Sequence, residues 1–206
     1  MSTDPSAPSA PARQRLTREE RRRQLIETSW KIAQAEGADA LTLGRLADAA
    51  NVAKPVVYDH FGTRNGLLAA LYQDYDGQQS VGMAQALAAG PETLADKAKI
   101  IAAAYVDCVM AQGEKLFGVA AALEGSAEMA AVKRSCDAAF LAQCKAALDP
   151  LADGGVSRTG LLGALGAAEA LSHAAAAGDI GADEAKAELA AVFFATAQRP
   201  EAGKAG

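Results

Sequence analysis

Between Thr42 and Arg64 the chain sets out a hydroxyl, three long cations, a phenol and an imidazole at helical intervals. Such groups donate hydrogen bonds and neutralise charge, which is the chemistry of gripping a polyanion. Thr42 can cap a helix or donate its hydroxyl to a phosphate. Arg45, one turn further on, lies opposite the apolar Leu43 and Leu46 and can reach a groove edge or a phosphate. Lys54 stands near the start of a second helix, where the dipole and free N–H groups already favour an anion. Pro55 and Val57 could meet base edges, Val57 through a thymine methyl group unless it is core. Tyr58 offers its hydroxyl to the sugar-phosphate backbone. His60 reads equally as a phosphate donor or a packed capping residue. Arg64 opens a further helix, positioned to fix a phosphate.

The elements that must hold these groups follow from the same stretch. Leu43, Leu46, Ala47 and Ala50 recur at helical spacing behind the Thr42 cap. Asn51 tolerates a left-handed backbone and can close that helix. Pro55 suits the first turn of the next one, and Val56, Val57 and Phe61 supply its apolar face. Two short helices joined this way form a helix-turn-helix, whose second helix can lie in a DNA major groove.

Charge is distributed to match. The chain of 206 residues carries a net charge of −5, which divides as +1 over residues 1–74 and −6 over 75–206. Six arginines, Arg13, Arg15, Arg18, Arg21, Arg22 and Arg23, fall close together, and local clustering decides contact with phosphates. Arg13, Arg15 and Arg18 could enter a minor groove or belong to a solvated tail. An enzyme finds little support. There is no glycine-rich phosphate loop and no metal-ligand spacing, and the two histidines, His60 and His173, fall in different expected domains. No metal or cofactor is expected. Cys108, Cys136 and Cys144 lack a C-x-x-C spacing and read as buried thiols. No run of about 18 unbroken apolar residues suggests a membrane span. The N-terminus lacks an apolar signal core, so a cytoplasmic location is expected.

Half of the residues are hydrophobic but only 5% aromatic, with heavy alanine use, which favours closely packed helices over sheets. Residues 1–16, rich in Pro, Ser and Ala, read as a disordered arm. Thr17 and Glu20 form a capping box opening a helix to about Glu36. After residues 17–62, the DNA-binding unit, residues 63–206 read as a larger helical domain. Its expected helices start at Thr63 and run to about Val81, then cover about 92–112, 116–124, 126–148, 157–177 and 182–198. The chain is therefore expected to be all-α, with about nine helices and no internal repeat.

The order T-L-x-x-L-A-x-x-A-x-V, then K-P-V-V-Y-x-H-F, then Arg64 and Leu67-Leu68, resembles the TetR family of transcriptional regulators. The resemblance runs from about Arg18 to Leu71. Asn51 stands where that family more often has glycine, and Ala53 where a serine usually caps the recognition helix. The resemblance implies a repressor that binds a palindromic double-stranded DNA operator as a homodimer, with a C-terminal domain for dimerisation and for a small-molecule effector whose binding releases the DNA; the apolar character of that domain suggests an apolar or amphipathic effector. A phosphate-backbone role for Tyr58 also follows from it. Polar or soft residues on apolar stripes are the effector-site candidates: Tyr105, Cys108, Met110, Phe117, Glu124, Met129, Phe140, Glu169 and His173. Glu169 and His173 lie four apart and can pair on one helical face. The small-residue run Gly163, Ala164, Gly166, Ala167 and Ala168 permits a close helix seam between two copies. A protein-interaction module without DNA binding is the remaining alternative, and the presence of Lys54, Tyr58 and Arg64 argues against it.

Overall fold

The computed structural model describes residues 16–123 and 125–199, the side chains of 112–118 and 120–123 excepted. Among the described residues there are eight α-helices and no strand: α1 (Arg18–Glu36), α2 (Leu43–Ala50), α3 (Lys54–Phe61), α4 (Arg64–Ala89), α5 (Leu94–Leu123), α6 (Ala127–Leu148), α7 (Arg158–Ala177) and α8 (Ala182–Gln198). Two 3₁₀ turns, Ala38–Ala40 and Asp149–Leu151, complete the path. The expected arm and its Arg13 and Arg15 lie outside the described residues.

The helix starts follow local chemistry. Thr17 and Glu20 form the reciprocal capping box. Thr42, Thr63, Ser126 and Ser157 each accept a bond from the backbone N–H three residues on, satisfying a donor that the helix cannot. Asn51 closes α2 at φ 51°, left-handed, and its N–H returns to α2 carbonyls. Ala53 offers α3 no side-chain cap, as its methyl group requires.

Two expectations about helices are corrected. The count is eight rather than nine, because 92–112 and 116–124 are one helix, α5, running through Gly113. An interior glycine costs only about 1 kcal/mol, and Val119 beyond it is wholly buried in the N-terminal core. Likewise α4 continues past Val81 to Ala89. Val81 and Gly82 face outward, while Met83 and Leu87 keep the helical spacing and are buried.

Two apolar cores result. The first joins Leu25, Ile26 and Ile32 of α1 to Leu43, Leu46, Val57 and Phe61, and to Leu67, Leu68 and Leu71 of α4. The second gathers Ile101, Val106, Cys144, Leu148, Leu161, Leu189 and Phe193 with Met83 and Leu87. Helix α4 therefore belongs to both cores, its first two turns to one and its last two to the other. This shared helix joins the two cores physically. None of the described helices is long and apolar enough to cross a membrane.

Candidate nucleic-acid interface and effector cavity

Helix α3 buries Val57 and Phe61 and leaves Lys54, Pro55, Tyr58 and Asp59 exposed. Lys54 and Tyr58 are one turn apart on that open face, and Tyr58 is 54% exposed despite its size. The Lys54 stem crosses the start of α2. A Cβ at Gly44 would lie 3.9 Å from its Cε and 4.0 Å from the Thr42 hydroxyl oxygen. Thr42, Lys54 and Tyr58 are thus presented by two helix starts held against each other.

The basic start of α1 completes this side. The Arg22 guanidinium lies 5.4 Å from the centre of the Phe61 ring. One Arg18 N–H reaches the Asp59 carbonyl at 3.5 Å. His60 is half-buried beside them. Burial first, then the charges of Arg18 and Arg22, hold its imidazole below the ordinary histidine range.

Three expected DNA contacts have different roles in this structure. Val57 is wholly buried, so its methyl groups belong to the core and cannot meet a thymine. Arg64 donates from Nε to the Leu41 carbonyl at 2.8 Å and from a terminal nitrogen to the Ala38 carbonyl at 2.9 Å. It braces the turn before α2 against α4 instead of standing free for a phosphate. Arg45 makes a two-pronged pair with Glu36, its Nε donating at 3.1 Å. Its hydrogen bonds hold the Glu36 carboxyl below the usual range. Sequence spacing could not show this, because the partner lies across a turn.

The helical body holds a partly open cavity of about 140 Å³ between α4, α5, α6 and α7. Of the candidates read from sequence, Tyr105, Cys108, Phe140, Glu169 and His173 line it. Phe140 stands edge-on to Tyr105, ring centres 5.1 Å apart. Met110 is instead exposed and Met129 packs on the N-terminal core. The Phe117 side chain and Glu124 lie outside the described residues. The expected Glu169–His173 pairing is replaced by an ion pair from Lys133 of α6 to Glu169, at 2.8 Å. Helix packing supplied a stronger partner than the one four residues along.

Several lining residues were missed: Asp76 on α4, and Lys133, Asp137 and Gln143 on α6, looked like ordinary solvent-facing groups, while Cys136 read as a buried core thiol. Only the facing of four helices brings them together. Burial pushes the Tyr72 phenol and the Cys136 thiol each up to about 12, the thiol also through its hydrogen bond to Asp76. The Asp137 carboxyl is raised by burial, with Glu169 and Asp76 adding and Lys133 opposing. Cys144 is fully buried and its thiol is likewise raised to about 12, so it is an inert core residue.

A capped helix-turn-helix with an open, cation-bearing second helix is set on a helical body with a cavity between its helices. Residues 25–71 match the family model for bacterial regulatory proteins, tetR family. The chain is 37% identical over 73 residues to the HTH-type transcriptional activator FasR of Mycolicibacterium smegmatis, a match covering 35% of this chain and 33% of FasR. The matched part thus spans about a third of that relative. In fold, the chain is similar to a TetR-family transcriptional regulator from Streptomyces coelicolor, with TM-score 0.61, 22% identity, and 86% of this chain and 80% of that one covered. It is also similar to the regulator FadR from Bacillus subtilis, solved in complex with stearoyl-CoA, with TM-score 0.62, 14% identity, and 84% and 98% covered. The N-terminal part of the chain, residues 25–71, is thus similar to the DNA-binding domain of the TetR family of transcriptional regulators.

Proposed function

We propose that the protein is an effector-responsive regulator that binds a palindromic operator as a homodimer and is released when a small molecule enters the cavity. The observation that carries this reading is the open face of α3, where Lys54 and Tyr58 stand clear of the core beside Thr42. One eight-residue recognition helix makes too few contacts for tight binding. Two copies, one helical turn of DNA apart (about 34 Å), supply the affinity.

The second copy has a surface to use. On α7, Leu162 is 48% exposed. Gly163 and Gly166 have nothing within 4 Å of where a Cβ would stand. On α8, Ala187, Ala191 and Ala195 are exposed. Small apolar faces on adjacent helices support a close four-helix seam between two protomers. The stearoyl-CoA complex of Bacillus subtilis FadR supports a small-molecule role for the helical body.

Lys54, Pro55 and Tyr58 are the contacts we assign to α3, with Thr42 on phosphate and the arginines of α1 alongside. Arg45 joins them only by leaving Glu36. The test is a mobility shift on the DNA upstream of the protein's own gene, with a Lys54→Ala, Tyr58→Phe double variant as control. The reading predicts a dimer-sized shift that the double variant loses. An undiminished shift in that variant, or equal grip on random and symmetric duplexes, would overturn it. Whether occupancy represses or activates depends on where the operator lies relative to the promoter, which in vitro transcription on the same DNA reads out.

A further inference from the structure

The cavity has a definite electrical character. Three carboxylates, Asp76, Asp137 and Glu169, line it against one ammonium, Lys133. Lys133 is already engaged with Glu169, and that pair sits towards solvent, the two side chains 51% and 33% exposed. Asp76 accepts a bond from the Cys136 thiol. Asp137 has no ion-pair partner of its own among the described residues. Asp76 and Asp137 thus share a half-buried space in which Lys133, already paired with Glu169, is the only ammonium among the described lining residues. Nothing in the folding of four helices requires that arrangement, because burying like charges is unfavourable.

The walls are as informative as the charges. Tyr72, Tyr105 and Phe140 present aromatic rings to the same space, and ring faces attract cations. A cavity of about 140 Å³ is close to the roughly 150 Å³ that holds a benzene ring. An anionic guest would instead face uncompensated carboxylates and compete with Glu169 for the single lysine.

We infer that this cavity takes a small organic cation, an aryl- or alkylammonium, with its charge between Asp76 and Asp137 and its apolar body against Tyr72, Tyr105 and Phe140. This rests on the effector reading above and gives that effector a chemical class.

The test uses two guests of nearly equal size and opposite charge, benzylammonium and benzoate, titrated into the full-length protein at neutral pH by calorimetry or ligand-observed NMR. Benzylammonium is expected to bind at least tenfold tighter than benzoate. Asp137→Asn should weaken it about tenfold, and Asp76→Asn should do the same. Lys133→Gln uncovers a further carboxylate and should tighten it about threefold, so the variants move the affinity in opposite directions and misfolding cannot imitate the pattern. Benzoate binding as well as benzylammonium, or a benzylammonium affinity indifferent to all three substitutions, overturns the assignment. Operator binding is measured on the same samples. Loss of the charge preference with operator binding intact removes the cation class alone, whereas intact preference without operator binding removes the regulator reading alone.

Discussion

The indole N–H of Trp30 donates to the Asp74 carboxylate at 2.9 Å, tying α1 of the DNA-binding domain to the middle of α4. The next residue, Tyr75, donates its hydroxyl to the Cys108 carbonyl of α5 at 2.9 Å. The residue after that, Asp76, lines the cavity. Three consecutive positions of one helix thus address the N-terminal domain, the helical body and the cavity. Trp30→Phe removes the first of these ties while keeping an aromatic ring. A hydrogen bond to a charged group contributes about 1.5 kcal/mol, and chemical denaturation should show a loss near that size. The variant should also hold operator in the presence of effector better than the native protein does. An unchanged response to effector would show that α4 is not coupled through this bond.

Lys54→Ala and Tyr58→Phe should each weaken operator binding about tenfold while leaving thermal stability unchanged, since both side chains are open to solvent. If Lys54 contacts a phosphate, its loss lowers the slope of log affinity against log salt by about 0.9 for each subunit. Titrations at several salt concentrations measure this directly. An unchanged slope with weaker binding would reassign Lys54 to a base edge.

Val57→Ala should behave in the opposite way. The side chain is wholly enclosed, so truncation leaves a small void and costs about 2 kcal/mol. Operator specificity, read from a panel of single-base operator variants, should keep its native pattern once the protein is folded.

Asn51 holds a left-handed backbone between α2 and α3. Asn51→Ala should cost about 1 kcal/mol, because a Cβ without a polar side chain is disfavoured there. Asn51→Gly should be neutral or slightly stabilising. Denaturation midpoints of the two variants test the pair.

The depressed His60 imidazole gives a pH dependence. Its unfolded form takes up a proton near pH 6.5, while the folded form resists protonation until lower pH. The unfolded state then binds more protons as the solution is acidified, so the stability from this group is present above pH 6.5 and is lost as pH falls through the folded value. Melting temperatures from pH 7.5 down to 5.5 should fall more for the native protein than for His60→Gln. Parallel curves would show that His60 titrates alike in both states.

Much of the N-terminal domain was legible from sequence because its signals are local. Thr17 with Glu20, Thr42, Asn51, Pro55 and Thr63 each act on backbone groups within four residues, and each stands where its chemistry is needed. Val57 and Arg64 were harder. A valine on a short helix reads the same whether it faces a groove or a core, and an arginine at a helix start reads the same whether it meets phosphate or carbonyl. The cavity was half legible. Tyr105 and Phe140 stood out as large residues on alanine-rich helices, while Asp76, Lys133 and Asp137 looked like ordinary solvent-facing charges.

The amino-acid order alone determined that the chain is helical, where most helices begin, and that its N-terminal part forms a helix-turn-helix. Those outcomes depend on capping, propensity and apolar spacing, which act over one or two turns. Tertiary structure decided which cations are free and which are engaged. It drew Arg45 to Glu36 and Lys133 to Glu169, and turned Asp76 and Asp137 into one partly open space. Such pairings join residues far apart in the chain or on different helices, and their energies exist only once the helices have packed.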